Sequence, residues 1–175
     1  AEDIDPETGY ATIRSNAQNR YVPNFSYGKG KIVWNFESVN MPAGTDGFLY
    51  LNGDTWHWNG AANGAGWIQI RIYPQDSTTK SSFKLHYDWT AEEFTLEESM
   101  NDIKTIELDT KVDPEDATKV NVTFSINGKV YYSGKKHNAF DLDGHKGVIF
   151  YSGFSGPFSP ECTIVFKSLD YEVYE

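Results

Sequence analysis

Apolar and polar residues alternate with a period of two along most of this chain, and that period is typical of half-buried β-strands. The segment KIVWNFESV shows it clearly, with Ile32, Trp34 and Phe36 on one side of the predicted strand. Short segments rich in Gly, Pro, Asn and Asp separate such stretches and are typical of turns. The pattern therefore predicts roughly ten to twelve short strands in a two-sheet antiparallel β-sandwich.

Two local signals make this prediction more specific. Asn127-Gly128 separates two alternating segments, and it predicts a two-residue type I′ hairpin turn because both central positions need positive φ. In residues 162–173 the apolar set changes from even to odd positions. That change predicts a one-residue bulge near Lys167 or Ser168.

The remaining segments are less regular. Residues 90–101, TAEEFTLEESMN, contain helix-favouring residues, and we interpret them as a helical turn or a solvated loop. Residues 1–9 are interpreted as an acidic lead-in, mobile or held by a metal, to a short strand around Tyr10 to Ile13. The length of 175 residues fits one domain over residues 1–175 that buries its own core.

The net charge limits the classes of binding partner, and the single cysteine limits the possible disulfides. The net charge of -10 and the pI near 4.8 argue against nucleic acid and anionic membrane surfaces, because both would repel the chain. The sequence contains no apolar run that would insert into a membrane. The single cysteine, Cys162, alternates with Ile164 and Phe166, which predicts a small buried side chain with no intrachain disulfide.

The segment DTWHWNGAANGAGWIQIRIY, residues 54–73, contains the most informative pattern for function. A strand at its end has three isoleucines on one face, at positions 68, 70 and 72. The opposite face has Trp67, Gln69, Arg71 and Tyr73. Flat aromatics stack on sugar rings, and amide and guanidinium groups hydrogen-bond to hydroxyls or carboxylates. We interpret this row as the floor of a carbohydrate-binding face.

Neighbouring residues extend the predicted face. Trp56 and Trp58 lie two positions apart, so their rings would project to the same side and form either a wall of the site or a lid on the core. If the segment SFKLHYDW pairs antiparallel with the isoleucine strand, Lys84, His86 and Asp88 fall beside Gln69 and Arg71.

The order of elements resembles the concanavalin A-like lectin and glucanase jelly roll. The resemblance rests on KIVWNFESV, FSINGKVYYSG, GVIFYSGF and the closing FKSLDYEVYE, and it covers the chain from about Lys31 onward. It implies a jelly-roll sandwich. Known members include carbohydrate-binding modules, lectins, laminarinase-type glucanases and several polysaccharide lyases, so the fold alone does not choose the activity.

Two enzymatic functions are alternatives to binding. Laminarinase-type glucanases place carboxylates on one strand as Glu-x-Asp-x-Glu or Glu-x-Asp-x-x-Glu, and Glu107-Leu108-Asp109 here lacks the third acid, which disfavours glycoside hydrolysis. A polysaccharide lyase could use Arg71, Gln69, His86, Lys84 and Tyr73 for β-elimination from a uronic acid. The signatures of alginate lyases of this fold are absent, and Gln69-Ile70-Arg71 only resembles one of them.

We therefore predict non-catalytic binding of a polysaccharide or oligosaccharide in an extracellular or cell-surface protein that contains other domains. The alternatives are a lyase and a structural or adhesive interaction domain. The sequence predicts either no cofactor or one structural calcium ion. The candidate ligands are Asp141 and Asp143, with further acids at positions 3, 5, 7 and 170. The four histidines show no close ligand spacing, which argues against zinc.

Overall fold

The computed structural model of the protein describes residues 3–14, 30–40, 48–54, 68–73, 82–87, 90–97, 99–137, 149–155 and 161–174. These ranges contain twelve strands: β1 (Asp3–Ile4), β2 (Ala11–Arg14), β3 (Gly30–Asn40), β4 (Phe48–Asp54), β5 (Ile68–Tyr73), β6 (Ser82–Tyr87), β7 (Thr90–Thr95), β8 (Thr105–Val112), β9 (Lys119–Ile126), β10 (Lys129–His137), β11 (Ile149–Ser155) and β12 (Thr163–Val173). A 3₁₀ turn spans Met100–Asp102. In the part of the chain described, no helix has the length and apolarity needed to cross a membrane.

The strands form two sheets. The seven-stranded sheet has the order β1-β2-β12-β3-β8-β9-β10, and the five-stranded sheet has the order β11-β4-β5-β6-β7. Every ladder in both sheets is antiparallel. The predicted all-β, two-sheet antiparallel sandwich is confirmed.

The inner face of the seven-stranded sheet forms most of the described core. Ile32 and Trp34 on β3 are fully buried, and Phe36 is 3% exposed, as the period-two pattern predicts. The ring of Phe36 lies 5.0 Å from that of Phe166 on β12. Cys162 is also buried, in agreement with its apolar phase.

Phe94 on β7 shows which face of the five-stranded sheet meets this core. Its ring lies 6.1 Å from Phe124 on β9 and 5.9 Å from Tyr132 on β10. Backbone pairing places Phe94 opposite Phe83, and Phe83 opposite Ile72. Directly paired residues share a face, so the isoleucine positions belong to the core side, as predicted.

Both local signals are confirmed. Asn127 and Gly128 have φ values of 50° and 80°, and they connect β9 to β10 as a tight turn. In the pairing of β12 with β3, Phe166 lies opposite Phe36 and Ser168 opposite Asn35, so Lys167 is the extra residue of the predicted bulge. A second shift, between Val165 and Phe166, leaves Glu37 of β3 without a pairing position. Beyond it Leu169 packs against the core.

Two segments differ from expectation. Residues 90–95 form β7, because pairing with β6 and partial burial of Phe94 outweigh the helix propensity of Ala and Glu. Among the residues described in this segment, only those of the 3₁₀ turn are helical. Within the acidic lead-in, Asp3–Ile4 pairs with β2. Asp5 Oδ1 accepts hydrogen bonds from Glu7 N (2.8 Å) and Thr8 N (3.4 Å), which stabilises the turn between the two strands.

Candidate functional site

The candidate site is the face of the five-stranded sheet opposite to Phe94. Strands β4, β5 and β6 pair there without a register shift. One cross-strand row consists of Asn52, Gln69 and His86. The prediction that His86 lies beside Gln69 is confirmed at the level of the backbone register.

A second row lies two residues along the same strands. It consists of Tyr50, Arg71 and Lys84, each directly paired with the next. Residues two apart on a strand share a face, so both rows belong to one surface. The predicted proximity of Lys84 to Arg71 is therefore confirmed as well.

The neighbouring strands extend these rows. Tyr151 on β11 pairs with Asn52, and Glu93 on β7, whose side chain is exposed, pairs with Lys84. Tyr73, at the end of β5, pairs with Ser82. We name the two rows, with Tyr151, the polar face.

Several predicted site residues belong to segments outside the described ranges. Trp56, Trp58, Trp67 and Asp88 lie outside the described residues, and so do the predicted calcium ligands Asp141 and Asp143. Their roles stay predictions. Gln69, Arg71, Tyr73 and His86 lie on two adjacent strands, as expected.

Sequence reasoning missed three contributors to the polar face. Tyr50 and Asn52 alternate with Leu49 and Leu51 in FLYLNGD, so the period-two pattern could have identified them once β4 was paired with β5. Tyr151 had no such signal, because β11 and β4 are separated by about a hundred residues of chain and no hairpin joins them.

Carboxylate spacing on this surface bears on catalysis. Among its described positions the acids are Asp54 at one end of β4 and Glu93 on β7. Three inter-strand spacings separate β4 from β7, and Asp54 lies four residues along β4 from Tyr50, which is in register with Glu93. The Cα atoms of Asp54 and Glu93 are therefore on the order of 19 Å apart. Glycoside hydrolysis needs two carboxyl groups about 5 to 9.5 Å apart. This pair does not meet that requirement.

Glu107 and Asp109 on β8, which match only part of the glucanase motif, lie on the other sheet. Glu107 forms an ion pair of 3.7 Å with Lys31 on β3. Asp109 accepts a hydrogen bond of 3.0 Å from the hydroxyl of Tyr174, and Lys111 Nζ lies 5.1 Å from the centre of the Tyr174 ring. These side chains make structural contacts on the outward face of the seven-stranded sheet.

Tyr174 is the most perturbed group on that outward face. Burial, together with the hydrogen bond to Asp109, raises the pKa of Tyr174 to about 12. Nearby, Asn35 Nδ2 donates to Asp170 Oδ2 at 2.8 Å and to Ser168 Oγ at 2.9 Å. Asp170, one of the predicted calcium ligands, thus has a protein partner. No cluster of three metal-ligating side chains occurs within the described ranges.

No protein-family model matches the sequence, and no curated protein matches it either. Solved structures do match. The β-glucanase of Bacillus licheniformis superposes with a TM-score of 0.61 at 11% identity, over 99% of this chain and 82% of the glucanase. The Emp46p carbohydrate recognition domain gives 0.62 at 13%, over 98% and 85%. A pseudo β-1,3-glucanase of Mycobacterium tuberculosis gives 0.58 at 12%, over 95% and 76%.

The chain has the concanavalin A-like jelly-roll fold. The resemblance noted from the sequence is confirmed at that level. Because the identities are 11 to 13%, the likeness defines the fold alone. The matched proteins include a glucanase, a pseudo-glucanase and a carbohydrate recognition domain. Because one fold occurs with different functions, the function has to be inferred from the residues of the site.

Proposed function

We propose that this chain is a non-catalytic carbohydrate-binding domain that holds a polysaccharide on the polar face of its five-stranded sheet. The register of β4, β5 and β6 is the observation that carries the proposal. It aligns Asn52, Gln69 and His86 beside a row with Tyr50 and Arg71. Amide, imidazole and guanidinium groups give directional hydrogen bonds to hydroxyls, and tyrosine rings stack on sugar C–H faces.

The spacing of acids supports the non-catalytic part of the proposal. The two described carboxylate positions on the surface, Asp54 and Glu93, are too far apart to act on one glycosidic bond. Those at positions 107 and 109 have structural partners on the other sheet. Binding without hydrolysis is the function that these residues fit.

The tryptophans complete the proposed site. Trp67 immediately precedes β5 in the sequence, and Trp56 and Trp58 follow β4 closely. Strands β4 and β5 pair up to Gly53 and Ile68. We propose that these rings stack on the sugar chain at this end of the polar face.

Affinity electrophoresis or calorimetry against a panel of polysaccharides tests the proposal. Trp67→Ala and Trp56→Ala should each weaken binding on the order of tenfold, because each removes a stacking platform. Tyr171→Ala is the matched control, since Tyr171 is an aromatic that is 51% exposed on the seven-stranded sheet. Unchanged retention in both tryptophan variants would refute the stacking argument.

A polysaccharide lyase is the second candidate. One observation favours it, namely that His86, Lys84 and Arg71 occupy adjacent strands, where a base and a carboxylate-neutralising cation could act together. A lyase would generate the absorbance of an unsaturated product from alginate or a related uronan. Absence of that absorbance with an intact, polysaccharide-binding protein would eliminate this candidate.

We further propose that the domain acts outside the cell or at its surface, where polysaccharides occur, within a longer chain that contains other domains. A structural calcium ion at Asp141 and Asp143 remains part of this proposal. Calorimetric titration of calcium into chelator-treated protein, compared with the Asp141→Asn variant, tests it. Identical titrations in the two proteins would argue against that site.

A further inference from the structure

We infer that the polysaccharide bound on the polar face carries negative charge, through carboxylate or sulfate groups. This inference rests on the proposed carbohydrate-binding function and names its ligand class. Its basis is that Arg71 on β5 and Lys84 on β6 are directly paired in register. Like charges directly opposite each other on adjacent strands are destabilising, and a bound anion would remove that cost.

Acidic residues near this pair do not balance it. Besides Arg71, Lys84 is paired with Glu93 on β7, and besides Lys84, Arg71 is paired with Tyr50 on β4. The row from Tyr50 to Glu93 therefore has a net charge of one positive unit, and the adjoining row of Asn52, Gln69 and His86 contains no acid. The other described acid on this surface, Asp54, lies four residues along β4 from Tyr50, away from the Arg71 and Lys84 pair.

Two adjacent rows on the opposite surface of the sandwich have the reverse charge. On the outward face of the seven-stranded sheet, Lys31 pairs with Glu172 and with Asp109, and in the next row Val33 pairs with Asp170 and Glu107. Those two rows contain four carboxylates and one ammonium. The next row on that surface contains Lys111 and Lys135, so the sign of the charge there changes from row to row.

Distance allows the two surfaces to act separately. Packed sheets lie about 10 Å apart, and outward side chains increase the separation. The Debye length is about 8 Å at physiological ionic strength. The charges on the opposite surface are therefore screened from the polar face, and a polyanion approaching the Arg71 and Lys84 row experiences mainly the local cations.

The residue types fit acidic sugars. A guanidinium matches the planar pair of oxygens of a carboxylate, or two oxygens of a sulfate ester, and Lys adds a point charge beside it. Gln69 and Asn52 provide amides that suit the hydroxyls of the same ring. The expected ligand is thus a chain of sugars with regularly spaced anionic groups.

Affinity electrophoresis with four polymers tests the inference. Polygalacturonate presents carboxylates, carrageenan presents sulfates, mixed-linkage β-glucan is neutral, and double-stranded DNA is a polyanion without a sugar-acid pattern. We expect retardation by polygalacturonate, carrageenan or both, with little by the glucan or DNA. Which of the two retards the protein identifies the anionic group.

Charge-removing variants complete the experiment. Arg71→Gln and Lys84→Gln should each weaken binding to the anionic polysaccharide about tenfold, while Lys167→Gln, at an exposed position on β12, should not. Circular dichroism checks that each variant is folded. Retention by neutral glucan that equals or exceeds retention by the acidic polymers, with no effect of Arg71→Gln or Lys84→Gln, would overturn the charge inference but leave the carbohydrate-binding proposal standing. Equal retention by DNA would show simple ion exchange and would also overturn the inference. Retention by none of the polysaccharides would defeat the proposed function itself.

Discussion

Lys136 Nζ lies 2.8 Å from Glu92 Oε1, and this ion pair joins β10 of the seven-stranded sheet to β7 of the five-stranded sheet. Both are edge strands, so the pair closes one side of the sandwich. The Lys136 side chain is 14% exposed and that of Glu92 is 41% exposed. Burial alone would lower the pKa of Lys136, but the hydrogen bond to Glu92, together with Tyr132, raises it above its ordinary value of 10.5.

Removing the carboxylate should destabilise the fold. Glu92→Gln leaves the ammonium of Lys136 beside a neutral amide in a largely buried position, and we expect the free energy of unfolding to fall by about 1 kcal/mol after allowance for the exposure of Glu92. Urea unfolding measures it. Because the two residues act as a pair, the double variant Glu92→Gln/Lys136→Met should lose less than the sum of the single losses. Strict additivity would contradict the coupling.

The same pair predicts an alkaline dependence of stability. A lysine whose pKa is higher in the folded protein stabilises it fully below its unfolded pKa of 10.5, and that contribution is lost as the pH rises through the folded value. The stability difference between the native protein and Glu92→Gln should therefore shrink above pH 10.5. A difference that stays constant there would show that charge is not its cause.

The environment of Asp113 predicts a loss of stability in acid rather than in alkali. Its Oδ2 lies 2.6 Å from Lys135 Nζ, and its Oδ1 accepts a hydrogen bond of 2.9 Å from Glu115 N. These two contacts hold the pKa of Asp113 below its ordinary value of 3.8. Stability from this carboxylate is present above that value and is lost as the pH falls through the folded pKa.

Asp113→Asn should thus lower the melting temperature at neutral pH and flatten its decline in acid. Thermal unfolding followed by circular dichroism at a series of pH values would measure both effects. Glu115→Gln is the control, because it removes an exposed carboxylate from the same turn and keeps the backbone donor. An acid decline that is equally steep in Asp113→Asn would contradict the assignment.

Tyr174 provides a prediction that can be measured at one residue. Burial and the Asp109 hydrogen bond raise its pKa from 10.0 to about 12, so the stability that it contributes is lost as the pH rises across that interval. Asp109→Asn should lower the pKa of Tyr174, although burial keeps it above 10.0. Carbon-13 NMR of labelled tyrosine, assigned with Tyr174→Phe, measures it. An unchanged pKa in Asp109→Asn would exclude Asp109 as a cause.

The sequence predicted those features whose cause is local. The burial of Ile32, Trp34 and Phe36 follows from side-chain alternation on one strand, and the turn at Asn127 follows from its need for positive φ. The pairing of His86 with Gln69 could be predicted because β5 and β6 are consecutive antiparallel strands.

Features determined by distant contacts were not predictable in this way. Residues 90–95 contain helix-favouring residues, but pairing with β6 and packing of Phe94 against β9 and β10 make them a strand. The place of Tyr151 in the polar face depends on β11 pairing with β4, for which neither segment contains a signal. The charge of each cross-strand row likewise requires knowing which strands are neighbours.

Asn127 allows the turn conformation and the side-chain bonds to be separated. Its Oδ1 accepts hydrogen bonds from Lys104 N (2.7 Å) and Thr105 N (3.0 Å), and its Nδ2 donates to Asp102 O at 3.0 Å. The side chain thus fixes the β9–β10 turn to the segment that enters β8.

Asn127→Ala should lower the free energy of unfolding by about 2 to 3 kcal/mol, because it loses these bonds and places a Cβ-bearing residue without polar compensation at positive φ. Asn127→Gly loses the same bonds but adopts the turn readily, so it should be about 1 kcal/mol more stable than Asn127→Ala. Asn127→Asp keeps the acceptor and loses the donor, and should fall between Asn127→Ala and the native protein. Urea unfolding of all three variants measures the series. If Asn127→Gly matched the native protein, the side-chain bonds would contribute nothing and the turn conformation alone would explain the asparagine.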